Sequence, residues 1–76
     1  MLIDRPVSSH RLTTRERELI LAITAGQNNK QIALGFGISE QTVKNQLSAL
    51  YHKIGVGSRL QLAVVALREG LLERRN

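Results

Sequence analysis

The chain has 76 residues, enough for one small domain near the lower limit of what folds without disulfides or metals. It has no cysteine, and its two histidines, His10 and His52, stand far apart, so we expect no disulfide, no metal site and no cofactor. Eleven Lys and Arg residues against six Asp and Glu give a net charge of +5, which favours a polyanionic partner.

Residues 1–11 carry no periodic apolar pattern and are predicted to be a flexible tail or linker remnant before a single domain at 12–76. Four helix starts follow, each marked by a side chain that can accept a hydrogen bond from the first turn: Thr13, Asn28, Ser39 and Ser58. Gly26 and Gly70 are predicted to end the first and last helices. No segment has the alternating pattern of a strand, so the expected class is all-α, a compact four-helix domain.

The second and third helices are separated by a short turn with a characteristic spacing. Gly37 and Val43 follow Ala33 at four and ten residues, as in a helix-turn-helix. Ala33 is small where the third helix crosses closely, Gly37 can adopt the left-handed conformation that reverses the chain, and Val43 is the first core residue of the third helix. We therefore expect a helix-turn-helix, although a hairpin of helices in any bundle could show the same spacing.

The third helix, at about 40–54, has one apolar and one polar face. The apolar face consists of Val43, Leu47, Leu50 and Ile54. The polar face, here called the recognition face, consists of Gln41, Lys44, Asn45, Ser48 and His52, and none of these is acidic. Lys44 suits guanine O6 and N7, and Asn45 suits adenine N6 and N7, so Gln41, Lys44, Asn45 and Ser48 are predicted to contact bases in the major groove of duplex DNA. The alternative is an ordinary solvated helix face.

Residues around this face are candidates for contacts to the DNA backbone: Thr42, Lys30, Lys53, Arg59 and His52. Thr42 and Lys30 rank above Lys53, because they stand near helix N-termini, where backbone amides favour phosphate. The alternative for each basic residue is a role in solubility alone.

The fourth helix is apolar on nearly all sides. If Ala63, Ala66, Leu67 and Gly70 face the core, Leu62 and Val65 project outward beside Gln61 and Arg68. A second apolar surface on so small a domain needs a cover. We expect these four outward residues to form a homodimer interface with two-fold symmetry, and a neighbouring domain is the alternative cover.

Linked motifs along the chain resemble the LuxR-type helix-turn-helix domain of bacterial regulators. They are Leu12 to Glu18, Gly26 to Ala33, Ile38 to Lys44, Gly55 to Arg59, and Ala63-Val64 with Gly70 to Leu72. The resemblance implies a four-helix domain that binds DNA as a dimer through its fourth helix and contacts RNA polymerase at some promoters. It also implies base-proximal positions at Lys44, Asn45 and Ser48, and a place in the bacterial cytoplasm, at the nucleoid.

The chain departs from this pattern at three positions. Gln46 stands where the family commonly has His, Ser48 where a longer polar or basic residue is frequent, and Phe36 where Leu is usual. The first two changes bear on the target sequence and the third on core volume.

Other functions have less support. Region 4 of a sigma factor has a similar opening before its helix-turn-helix, but the Gly26 to Lys30 segment and the apolar fourth helix argue against it. A protein-interaction module would use the Leu62 and Val65 surface alone. An enzyme is the weakest option, because neither histidine has a partner at catalytic spacing and no glycine-rich phosphate loop is present. The longest apolar stretch, 62–67, is too short to span a membrane.

Overall fold

The computed structural model describes residues 12–72, so the predicted tail at 1–11 lies outside the described residues. Within this range the chain forms four helices and no strand: α1 Thr14–Thr24, α2 Asn29–Phe36, α3 Glu40–Ile54 and α4 Arg59–Arg68. The all-α class and the four helices expected from the sequence are confirmed.

The first three helices begin where their capping residues predict. Thr13 accepts a hydrogen bond from the backbone N–H of Glu16, whose carboxylate accepts one from the N–H of Thr13. Asn28 and Gln31 exchange the same pair of bonds at α2. Ser39 accepts from the first turn of α3. These side chains satisfy N–H groups that have no partner inside the helix, and each cap contributes about 1 kcal/mol.

The ends of α4 differ slightly from the prediction. Ser58 caps the helix as expected, and the Gln61 side chain also accepts from the N–H of Gly57, one residue before the capping position. The helix ends at Arg68 rather than at Gly70, which has a positive φ of 64°. The chain then folds back and buries Leu71 against the core.

The turn between α2 and α3 has the geometry that the helix-turn-helix spacing predicts. Gly37 has a φ of 71°, in the left-handed region. The carbonyl of Ala33 accepts hydrogen bonds from the N–H groups of both Gly37 and Ile38. Ala33 and Val43 are both buried. The reversal therefore packs α3 against α2, and both Ala33 and Val43 belong to the buried core.

The core draws on all four helices. Its fully buried side chains are Leu19, Ile20, Ile32, Val43, Leu50 and Leu62. On α3 the predicted apolar stripe is buried at Val43, Leu47 and Leu50, whereas Ile54 is half-buried. This burial fixes the rotation of α3 about its axis, so its polar face is turned to solvent.

The predicted orientation of α4 is wrong. Leu62, expected to project outward, is fully buried, and Leu67, expected in the core, is 72% exposed. Leu62 and Ala66, one turn apart, face the core instead. A helix that is apolar on nearly all sides carries no periodic signal for its rotation, and this explains the error.

Candidate nucleic-acid interface

The recognition face of α3 is solvent-exposed along its whole length, at Gln41, Lys44, Asn45, Ser48 and His52. It lies opposite Val43, Leu47 and Leu50, which bury the other side of the helix. The structure thus brings the predicted base-contacting residues onto one continuous surface held by a packed core.

Two side chains of this face are bonded to each other. The Gln41 amide nitrogen Nε2 donates to Asn45 Oδ1 at 3.0 Å, across one helical turn. The remaining recognition residues, Lys44 among them, form no ion pair within residues 12–72. Glu40 lies one helical turn before Lys44, but no ion pair joins the two side chains in the described part of the chain.

Lys53 lies at the other end of α3 and is held toward α1. Its Nζ lies 2.8 Å from Glu16 Oε1, so the same carboxylate caps α1 and pairs with α3. Partial burial raises the pKa of the Glu16 carboxyl, but the hydrogen bonds from Lys53 and the Thr13 backbone and the charge of Lys53 together outweigh it. The pKa of Glu16 is therefore lowered from its ordinary value.

An open depression lies beside the recognition face, where the starts of α2, α3 and α4 come together. It is lined by Gly26, Gln27, Asn28, Asn29, Lys30, Glu40 and Arg59. Arg59 spans it, donating to Asn29 Oδ1 at 3.0 Å and to the Gln27 carbonyl at 2.9 Å. Arg59 thus ties α4 to the connection between α1 and α2, while Lys30 stays exposed at the rim.

Thr42 lies in the first turn of α3, half-buried. Its hydroxyl is 2.9 Å from that of Ser39, and its backbone N–H donates to the same Ser39 oxygen. The Thr42 side chain therefore forms part of the cap and stays near the start of the helix.

The sequence reasoning missed an arrangement centred on Arg15 of α1. Its guanidinium carbon lies 4.2 Å from the centroid of the Phe36 ring, and its Nη1 donates to Gln46 Oε1 at 3.4 Å. Arg15 also pairs with Glu18 at 3.3 Å. One arginine therefore connects α1 with the end of α2 and the middle of α3. Two of its partners, Phe36 and Gln46, are among the three departures from the family pattern, and that coincidence was the available signal.

The exposed surface of α4 differs from the predicted interface. It consists of Leu60, Val64 and Leu67, exposed at 72%, 44% and 72%. These positions are spaced by four and three residues and so form one stripe. Val65 is only half-buried and packs against the core, whereas Gln61 and Arg68 are exposed.

No helix within residues 12–72 combines the length and apolar character that a membrane span requires.

Comparison with known proteins gives a family match over most of the chain. The model of the family described as "Bacterial regulatory proteins, luxR family" matches residues 10–66. This range includes the whole of α1, α2 and α3 and most of α4.

Individual relatives agree with this match. The chain is 44% identical over 62 residues to the spore germination protein GerE of Bacillus subtilis, covering 82% of this chain and 84% of GerE. It is 39% identical over 61 residues to the transcriptional regulatory protein YdfI of Bacillus subtilis, covering 80% of this chain and 29% of YdfI. It is 38% identical over 66 residues to the transcriptional regulatory protein DegU of Brevibacillus brevis, covering 87% of this chain and 28% of DegU. The chain spans less than a third of the length of these two longer relatives.

Proposed function

Because the chain belongs to the luxR family of bacterial regulatory proteins, whose members are DNA-binding regulators of transcription, we propose that it binds a specific duplex DNA sequence with α3 in the major groove. Membership in this family confirms the resemblance that the sequence motifs indicated and does not favour the sigma-factor alternative. The observation that carries the proposal is the recognition face: five exposed polar residues, none acidic, on a helix whose other side is locked in the core.

The dimensions and chemistry of α3 support this proposal. Its 15 residues correspond to a rod about 22 Å long, and a helix of this width fits the major groove of B-DNA. Lys44 and Asn45 lie in the half of the helix nearer its N-terminus, the part from which recognition helices contact base edges. Gln41 and Ser48 extend the base-contacting surface on either side.

Contacts to the DNA backbone are proposed around this surface. Lys30 projects from the first turn of α2 and Thr42 from the first turn of α3, where helix N-termini favour phosphate. Arg59 uses two of its five N–H donors on the chain itself and has others available for phosphate. His52 extends the recognition face toward the backbone, and Lys53 would have to compete with its bond to Glu16.

We also propose that the protein binds DNA as a homodimer through α4, with the exposed stripe of Leu60, Val64 and Leu67 at its centre. This replaces the interface centred on Leu62, which is buried in the protomer's own core. Leu60 and Leu67 are each 72% exposed, so a second copy that covers them stabilises the dimer by burying apolar surface. A two-fold dimer also matches DNA sites made of two paired half-sites. Gln61, Val65 and Arg68 border this stripe. Contact with RNA polymerase and action at the nucleoid in the cytoplasm are parts of the proposal that rest on family membership.

The proposal is tested by selecting bound duplexes from random DNA and comparing the affinity for the selected and scrambled sites. The double variant Lys44→Ala with Asn45→Ala should lose most of the discrimination between the two. A matched control, Lys53→Ala with Gln46→Ala, removes one lysine and one amide from the side of the same helix that contacts α1, and should keep the discrimination. Selection of no duplex would favour a protein-interaction module, and unchanged affinity of the first variant for a selected site would refute base reading by Lys44 and Asn45.

A further inference from the structure

We infer that Gln41 and Asn45 form a single recognition unit, in which Gln41 fixes the rotation of the Asn45 amide so that Asn45 selects guanine over adenine. The inference rests on the proposed function, because it requires α3 to lie in the major groove. It differs from the expectation for a free asparagine, whose amide matches adenine.

The hydrogen bond between the two side chains sets the orientation of the Asn45 amide. Gln41 Nε2 donates to Asn45 Oδ1 at 3.0 Å, and residues four apart lie directly above one another on a helix. The oxygen and nitrogen of a planar amide lie on different sides of its carbon. With Oδ1 turned along the helix toward Gln41, Nδ2 is turned away from it, and the Asn45 side chain has no other hydrogen-bond partner within residues 12–72.

This orientation changes what Asn45 offers to a base. An asparagine that binds adenine uses both amide atoms at once, because Oδ1 accepts from N6 while Nδ2 donates to N7. In this protein Gln41 occupies one lone pair of Oδ1 and turns that oxygen along the helix, so Nδ2 is the amide atom of Asn45 most free to face the groove. Guanine has two neighbouring acceptors, N7 and O6, whereas adenine has a donor beside its N7 that would be left without a partner.

The surroundings of Asn45 add to the same preference. Lys44 is adjacent and exposed, and an ammonium group can only donate hydrogen bonds. No carboxylate stands among the five residues of the recognition face to accept from adenine or cytosine. Lys44 and Nδ2 of Asn45 thus place two donors side by side, which suits neighbouring acceptors on a base edge.

The experiment uses site selection from random duplex DNA with the full 76-residue chain. The Asn45→Ala variant first identifies the base pair at which Asn45 contributes, because preference at that position is lost. At that position the unmodified protein should prefer guanine to adenine by about tenfold. Gln41→Ala frees Oδ1, and the preference should then move toward adenine by about tenfold or more.

Two further variants separate this effect from others. The structure bonds Gln46 to Arg15 of α1, so Gln46 is no longer expected to bear on the target sequence as its departure from the family pattern suggested. Gln46→Ala removes an amide from the same helix and should leave the preference at the Asn45 base pair unchanged. Adding Gln41→Ala to Asn45→Ala should have no further effect at the base pair assigned to Asn45, since Gln41 acts there through Asn45. Alanine at an exposed helix position does not disfavour the helix, and circular dichroism checks that each variant is folded.

The outcomes distinguish this inference from the proposed function. If the unmodified protein selects no sequence at all, the proposed function fails and the inference with it. If it selects a site but prefers adenine or cytosine at the Asn45 position, or keeps its guanine preference in Gln41→Ala, the inference is overturned while the proposed function stands. A selected site with no position sensitive to Asn45→Ala overturns it as well.

Discussion

Arg15 on α1 stacks over the ring of Phe36 at the end of α2, with 4.2 Å between the guanidinium carbon and the ring centroid. The ring face is the negative end of the aromatic quadrupole, so this contact attracts the cation as well as burying part of its stem. Because Phe36 is the last residue of α2, the contact holds α1 against the turn that orients α3.

A double-mutant cycle measures this contact. Arg15→Met keeps most of the side-chain stem, and Phe36→Leu keeps an apolar residue. We expect a coupling free energy of about 0.5–1 kcal/mol in chemical denaturation. A cycle of Arg15→Met with Glu18→Gln is the comparison, and an exposed pair three residues apart should give only about 0.2–0.5 kcal/mol. Additive effects of Arg15→Met and Phe36→Leu would contradict the stacking interpretation.

The two glycines around Phe36 should respond to alanine in opposite directions. Gly35 lies within α2 and Gly37 has a φ of 71°, and a Cβ at either position would have no atom within 4 Å. The two positions therefore differ in backbone conformation and not in the space available to a Cβ. Gly35→Ala should raise the free energy of unfolding by about 0.5–1 kcal/mol, and Gly37→Ala should lower it by about 1–2 kcal/mol.

Thermal unfolding of both variants checks this, with Gly37→Asn as a further control. Asparagine tolerates the left-handed region better than alanine, so Gly37→Asn should lose less stability than Gly37→Ala. Equal losses in the two Gly37 variants would indicate that something other than backbone conformation decides the effect.

The lowered pKa of Glu16 predicts a pH-dependent contribution to stability. A carboxyl with a lowered folded-state pKa stabilises the fold above its ordinary value of 4.5, and this stabilisation is lost as the pH falls through the folded-state pKa. Glu16→Gln keeps a capping side chain but removes the charge that pairs with Lys53. At pH 7 the variant should be less stable by about 0.5 kcal/mol, and the difference should vanish in strong acid.

Urea unfolding across the acidic range is the measurement. In a Lys53→Met background the effect of Glu16→Gln should be smaller at pH 7, because the partner charge is already gone. If the free energy of unfolding differs by the same amount between the unmodified protein and Glu16→Gln from pH 7 into strong acid, the ion pair is excluded as the cause.

The parts of the fold that depend on near neighbours in sequence were predictable, and those that depend on distant contacts were not. The capping box of Thr13 and Glu16 lies within one turn, so the residue types alone determine it. Arg15 and Phe36 belong to different helices, and no spacing rule connects them. The rotation of α4 was not predictable either, because Leu62 and Leu67 are equally apolar and only packing against the other helices decides which is buried.

The candidate site shows the same distinction. The exposure of Lys44 and Asn45 followed from the apolar period of α3. The bond between Gln41 and Asn45 could have been anticipated, because amide side chains four apart on a helix are known to pair. The bond from Lys53 to Glu16 could not, since it joins two helices.

The salt dependence of DNA binding should distinguish two lysines. Lys30 is exposed and has no ion pair within residues 12–72, whereas Lys53 is bonded to Glu16. A lysine that neutralises a phosphate releases a counterion, so Lys30→Ala should reduce the slope of log affinity against log salt by about one unit. Lys53→Ala should change it less. Equal changes in both variants, or altered base preference in Lys30→Ala, would contradict the assignment.

The exposed stripe of α4 should determine dimer formation on DNA. Leu67→Glu places a charge on this stripe without touching the core, because Leu67 is 72% exposed. On DNA with two half-sites the affinity should fall by about a hundredfold. The reason is that a copy bound at one half-site no longer holds its partner close to the other half-site. Affinity for a single half-site should stay the same.

Leu34 on α2 provides the matched control, because it is a leucine of similar exposure, 76%, outside α4. Leu34→Glu adds the same charge and should leave the ratio between two-site and one-site affinity unchanged. Sedimentation with DNA bound gives the number of protein copies directly, two for the unmodified protein and for Leu34→Glu. Two copies on DNA for Leu67→Glu, with the ratio preserved, would refute α4 as the interface, whereas an equal loss in both variants would show that added negative charge, not the stripe, weakens binding.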